Sequence, residues 1–135
     1  MSYPITTIDG IDEDAVAALK AAGIRTTDKL LEAAKDPRGR KALAAKTGLN
    51  EKDLLRWANM ADRMRIKGMG KDYAELMRVA GVDTVRELKH RNAGKLTRAM
   101  AAANTKRRLV KTPPSEKSVN RWIEIAKKLP LKISY

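Results

Sequence analysis

Ile66-Lys67-Gly68-Met69-Gly70-Lys71-Asp72-Tyr73-Ala74 decides how the rest of the chain is read. Two glycines flank one apolar residue; lacking Cβ, glycine adopts positive φ and lets a ligand approach the backbone. On the N-terminal side, Leu54, Leu55, Trp57, Ala58, Ala61 and Met64 follow the three-four spacing of a core-facing helix. That helix starts at Asn50, a capping residue with acidic Glu51 and Asp53 in the turn behind it. On the C-terminal side a further helix ends near Ala80-Gly81. The stretch therefore reads as a tight turn between two helices. The same frame stands 58 residues earlier as Ile8-Asp9-Gly10-Ile11, and the register holds without gaps through Leu19 and Met77, Gly23-Ile24 and Gly81-Val82, Thr26 and Thr84, Leu30 and Leu88. At an offset of 65, Leu55-Arg56-Trp57 with Ala61 matches Asn120-Arg121-Trp122 with Ala126. The chain is a repeat of a unit of about 60 residues, with an insertion in the second copy.

Helical periodicity runs nearly throughout, and no stretch keeps the two-residue alternation of a half-buried strand. Asp12 or a neighbour caps a helix carrying Val16, Leu19 and Ala22, which stops at Gly23. Thr26 caps the next, with Leu30, Leu31 and Ala34 inward, until Asp36-Pro37 breaks it. A third spans about 38 to 47 and stops at Gly48. Thr112-Pro113-Pro114 is a loop, after which Ser115 opens a last helix with Val119, Trp122, Ile123, Ala126 and Leu129 on one face. Thr84-Val85-Arg86-Glu87 reads as a capping box. The fold class is all-α, with a first unit over residues 1–65 and a second over 66–135, in one compact helical domain.

Charge divides unevenly between the units. The net charge is +13; residues 1–65 hold 12 Lys/Arg against 10 Asp/Glu, and residues 66–135 hold 17 against 6. Between Glu87 and Glu116 stand Lys89, Arg91, Lys95, Arg98, Lys106, Arg107, Arg108 and Lys111 with no acid among them. A solvated helix face mixes the signs, whereas clustered cations are rewarded by a polyanion through counterion release. The polyanion-binding surface is expected in the second unit.

The frame hydrophobic-x-Gly-hydrophobic-Gly at 66–70 resembles a helix-hairpin-helix motif, and the doubled frame makes the fold two tandem units of that kind. In such a motif the amides around Gly68 and Gly70, at a positive helix end, hold a phosphate oxygen; Lys67 and Lys71 add charge, and Met69 locks the turn from inside. The grip touches only backbone phosphate, so it positions a protein without reading sequence. The first turn has Asp9 and Asp12 where the second has Lys67 and Gly70, followed by Glu13 and Asp14. Carboxylates there repel phosphate, so it is expected to be structural or to meet a basic partner. Over residues 5–129 the chain resembles a bacterial family of tandem hairpin proteins catalogued as a domain of unknown function. Residues 23–30 and 81–88 are also similar to the turn and helix in the C-terminal domain of the bacterial RNA polymerase α subunit, which implies a hairpin fold and DNA contact.

Other residues have plainer readings. Trp57 and Trp122, at equivalent points on apolar faces, are expected in the core rather than stacked on bases. Met60, Met64, Met69, Met77 and Met100 read as adaptable core filler, with a groove for a partner helix as the alternative. Tyr73 is open between burial and contact at the turn. No cysteine is present, His90 is the single histidine, and Asp9, Asp12, Glu13 and Asp14 lack calcium-loop spacing, so neither metal nor cofactor is expected. No nucleophile-base constellation or phosphate-transfer loop is visible, and the protein is read as no enzyme. No apolar run approaches the ~20 residues that span a bilayer, so a cytoplasmic protein is expected, with nucleoid association possible in kind. The expected function is binding of nucleic acid, DNA before RNA, through Lys67, Gly68, Met69, Gly70, Lys71 and the basic stretch. The alternative is a protein-protein adaptor, with self-association or a protein partner at the acidic first turn.

Overall fold

Capping side chains set most of the helix boundaries. A computed structural model describes residues 2–135, and among these the secondary structure is eight α-helices, one 3-10 turn at Ile5–Thr7 and an isolated bridge between Pro4 and Thr26. The helices are α1 (Glu13–Ala21), α2 (Thr27–Ala33), α3 (Pro37–Thr47), α4 (Glu51–Arg63), α5 (Gly70–Val79), α6 (Val85–Leu88), α7 (Ala93–Arg107) and α8 (Glu116–Lys128). Asp12, Thr26, Asp36 and Asn50 cap α1 to α4 by accepting backbone N–H groups of the first turn. Thr84, Asn92 and Ser115 do the same for α6, α7 and α8. Each such cap satisfies a donor that the helix cannot, which stabilises by about 1 kcal/mol.

The chain falls into two compact units, 66–131 forming the second and the remainder, including 132–135, the first. In the first unit, α2 and α3 pack on α4 and bury Leu30, Leu31, Leu43, Leu54 and Trp57. The segment before α1 is tied in by backbone bonds from Ile5 N–H to Arg25 O and from Thr27 N–H to Tyr3 O. In the second unit, α7 packs on both α5 and α8, and α6 packs on α8, around Met77, Leu88, Leu96, Met100 and Trp122. The five methionines read as core filler are all buried, as are both tryptophans. Deleting one such side chain to Ala costs about 2 to 5 kcal/mol through lost transfer energy and the cavity left behind.

Helix by helix the two units repeat. α1 and α5 both end in a turn where the residue after glycine bonds back five positions, Ile24 N–H to Leu19 O and Val82 N–H to Met77 O, with Gly23 at φ 85° and Gly81 at φ 104°. α3 ends at Gly48 and α7 at Arg108, both left-handed, and α4 and α8 are each 13 residues long. The insertion is shared between α7, fifteen residues against eleven in α3, and the link that follows it. Three residues, 48–50, link α3 to α4, whereas eight, 108–115, link α7 to α8. The basic stretch 89–111 is three pieces: a turn after α6, the fifteen-residue α7, and the start of this longer loop.

Candidate nucleic-acid interface

The turn at 66–70 is closed by a bond from Met69 N–H to Ile66 O, 3.2 Å, with Gly68 at φ 86° and Gly70 at φ 69°. A Cβ on either glycine would meet nothing within 4 Å, so the backbone conformation and not crowding is what demands glycine. Met69 is buried, and with its N–H spent on Ile66 it holds the turn from within. Lys67, Gly68 and Lys71 are exposed and Gly70 is half-buried. No side-chain hydrogen bond caps α5 at this end. The positive end of its dipole faces the turn, with Asp72 the single acid in the first turn.

The corresponding turn in the first unit is closed by the equivalent bond, Ile11 N–H to Ile8 O at 3.3 Å, with Gly10 at φ 80°. Only the short 3-10 turn precedes it, where α4 precedes the second. Position 12 is extended, φ −86°, where its counterpart Gly70 is left-handed. The Asp12 carboxylate takes the N–H of Ala15 at 2.7 Å, and Glu13 and Asp14 occupy the first turn. That helix end already holds its anion.

The basic residues divide into groups. Tyr73, one turn into α5, is half-buried against Trp122, ring centroids 5.4 Å apart, and its hydroxyl donates to the Thr112 carbonyl at 3.3 Å. This bond brings the loop carrying Lys111 to the turn end of α5. The same loop is clamped to α7 by Asn104, buried, whose amide donates to Val110 O at 2.9 Å while its oxygen accepts Val110 N–H at 3.0 Å. Lys106, Arg107 and Arg108, all exposed, stand at that end of α7. Lys67, Lys71, Lys111 and the triplet 106–108 are thus linked through Tyr73 and Asn104.

The remaining cations lie elsewhere. Arg91 sits 3.9 Å from the position a Gly81 Cβ would take, at the opposite end of α5, a helix of ten residues and ~15 Å. Lys89 is the C-cap residue of α6. Lys95 and Arg98 belong to the start of α7, where a Glu116 carboxylate oxygen lies 2.8 Å from the site of a Gly94 Cβ and Arg98 Nη1 lies 3.5 Å from it. An acid closing the long basic run in sequence therefore returns to the head of α7, at the positive end of the helix dipole and near Arg98. Neither Tyr73 to Thr112 nor Asn104 to Val110 was foreseen from the sequence. Asn104 carried a signal all the same, as a polar residue one turn before the end of an otherwise ordinary helix.

Among the described residues no three His, Cys, Asp or Glu side chains gather closely enough to hold a metal ion, and no helix is long and apolar enough to cross a membrane. No curated protein and no solved structure matches the chain. One family profile does, over residues 9–129, a span that takes in both glycine turns and all eight helices, and the chain accordingly belongs to the family described as domain of unknown function (DUF4332).

Proposed function

We propose that the second unit binds nucleic acid, duplex DNA before RNA, through backbone phosphates, using the turn at 66–70 as a helix-hairpin-helix grip. One observation carries the reading: of two equivalent glycine turns, the one with lysines at 67 and 71 leads into a helix without a side-chain cap, and the other into a helix capped by Asp12. An uncapped helix start with flanking cations accepts a phosphate oxygen, and a start occupied by a carboxylate does not. The charge of the second unit supports the same direction, and so does the bond from the Tyr73 hydroxyl to Thr112 O, which ties the loop carrying Lys111 to α5. On this reading the turn and the start of α5 make the grip, and the first turn is its counterpart with the helix end capped. Such contacts give affinity with little discrimination between sequences.

Fluorescence anisotropy against unrelated duplexes and single-stranded RNA, at several salt concentrations, tests it. Sequence-independent duplex binding is expected, and with six phosphate contacts it falls on the order of a thousandfold between about 50 and 200 mM salt. Negligible binding at low salt removes the proposal and returns the chain to the protein-adaptor reading.

A further inference from the structure

Arg108 is the one residue other than glycine with a positive φ among those described, at φ 50°, ψ 45°. At the equivalent helix end the first unit has Gly48, φ 76°, and both residues donate their N–H to the carbonyl four positions back at 2.8 Å. The left-handed conformation penalises a side chain and favours glycine. Charge complementarity with the helix end does not require an arginine there, because Lys106 and Arg107 already supply it. An outlier kept where its twin has the relaxed residue is the kind of strain that accompanies a binding role. Arg108 also opens the inserted loop. With Lys111 it lines an open cleft of 530 Å³ at the end of α7, whose wall includes Asn104, Leu109 and Val110 and no acid.

We infer that Arg108 and Lys111 form a second phosphate-contact point, in which the inserted loop, held by Asn104 and Tyr73, engages a different backbone phosphate from the one at the glycine turn. This rests on the proposed nucleic-acid function and deepens it: the ligand class is a phosphodiester backbone long enough to reach both points. Asn104 acts as a positioning residue, since both of its polar atoms are spent on Val110.

The test compares wild type, Arg108→Gly, Lys111→Ala and the double variant by duplex anisotropy across a salt series, together with thermal unfolding. Each lost phosphate contact lowers the slope of log affinity against log salt by about 1, so the double variant is expected to lose about 2. Arg108→Gly is expected to weaken binding while holding or raising Tm, because glycine relaxes the backbone. An unchanged slope and affinity in the double variant overturn the inference while leaving the glycine-turn grip in place. A lowered Tm in Arg108→Gly with unchanged binding also overturns it, since the arginine would then serve the fold. Absence of binding by the wild type removes the proposed function and this inference together. Lys111→Ala, which disturbs no left-handed residue, keeps the slope readable if the glycine variant folds poorly.

Discussion

At the head of α1 the Asp12 carboxylate accepts an N–H of the first turn, and Glu13 and Asp14 stand beside it; at the head of α5, Gly70 is left-handed, no side chain caps the helix, and Lys67 and Lys71 flank the turn. At a second helix end in each unit the contrast recurs. Gly48 ends α3 and a three-residue link follows, while Arg108 ends α7 and opens an eight-residue loop tied down by two side chains. The four-helix order is the same in both. One copy has spent its helix end on an internal anion and closed its link, and the other has left its helix end uncapped and lengthened its link with cations. Duplication allows this division because the capped copy keeps the fold while the uncapped copy forgoes a cap worth about 1 kcal/mol.

The largest effect expected comes from making the second turn resemble the first. Lys67→Asp with Lys71→Glu puts acids where Asp9 and Glu13 stand, and duplex affinity should fall at least a hundredfold at about 50 mM salt, since two contacts become repulsions. Retention of affinity in an anisotropy titration would place the binding surface elsewhere. Arg91→Ala, at the other end of α5, should change affinity far less in the same titration.

Next in size is Asn104→Ala, which gives α7 the alanine that α3 has at the corresponding Ala44 and removes both bonds to Val110. Two net hydrogen bonds correspond to about 2 kcal/mol, read as a lower urea midpoint at unchanged slope. A fall of duplex affinity beyond that of Lys111→Ala would show that the loop, once released, also loses Arg108. Smaller again is Asp12→Ala, costing about 1 kcal/mol as a lost cap and leaving DNA affinity unchanged. If that variant instead gained DNA affinity, the first turn would be a grip silenced only by its cap.

Smallest is the surface cluster of the first unit. Hydrogen bonding and charge attraction from Lys35, with Lys132 nearby, hold the Glu32 carboxyl below its ordinary pKa, and Glu32 in turn raises Lys35. The glutamate's contribution is present above its ordinary range and lost as pH falls through the lowered value. The lysine's is present below its ordinary range and lost as pH rises through the raised one. The groups are exposed and solvent screens them, so Glu32→Gln should barely move the urea midpoint at neutral pH. A clear shift would mean that Lys132 anchors the terminal segment through this pair.

The repeat, the caps and the glycine stops were legible before any coordinates, because each is written at fixed short spacing. Asp12, Thr26, Asn50 and Ser115 cap where a short polar residue precedes an amphipathic run, and Gly23 and Gly48 end helices as left-handed residues must. The continuous basic stretch was less informative than it looked. Sequence counts charges along the chain, whereas the fold put Arg91 at one end of α5 and Lys111 near the other.

The sequence by itself determined the all-helical class, the doubling, and the opposite chemistry of the two glycine turns, since period, capping and composition act over three or four residues. Only the tertiary structure decided what those turns are joined to. Asn104 clamps Val110, Glu116 returns to Gly94 at the head of α7, and the buried Arg40 spends its donors on Ala34 O and on Ser134 O, 94 residues away. No local spacing specifies those partners. A buried polar group must be satisfied by whatever acceptor packing brings within reach, and that choice is made across the whole chain at once.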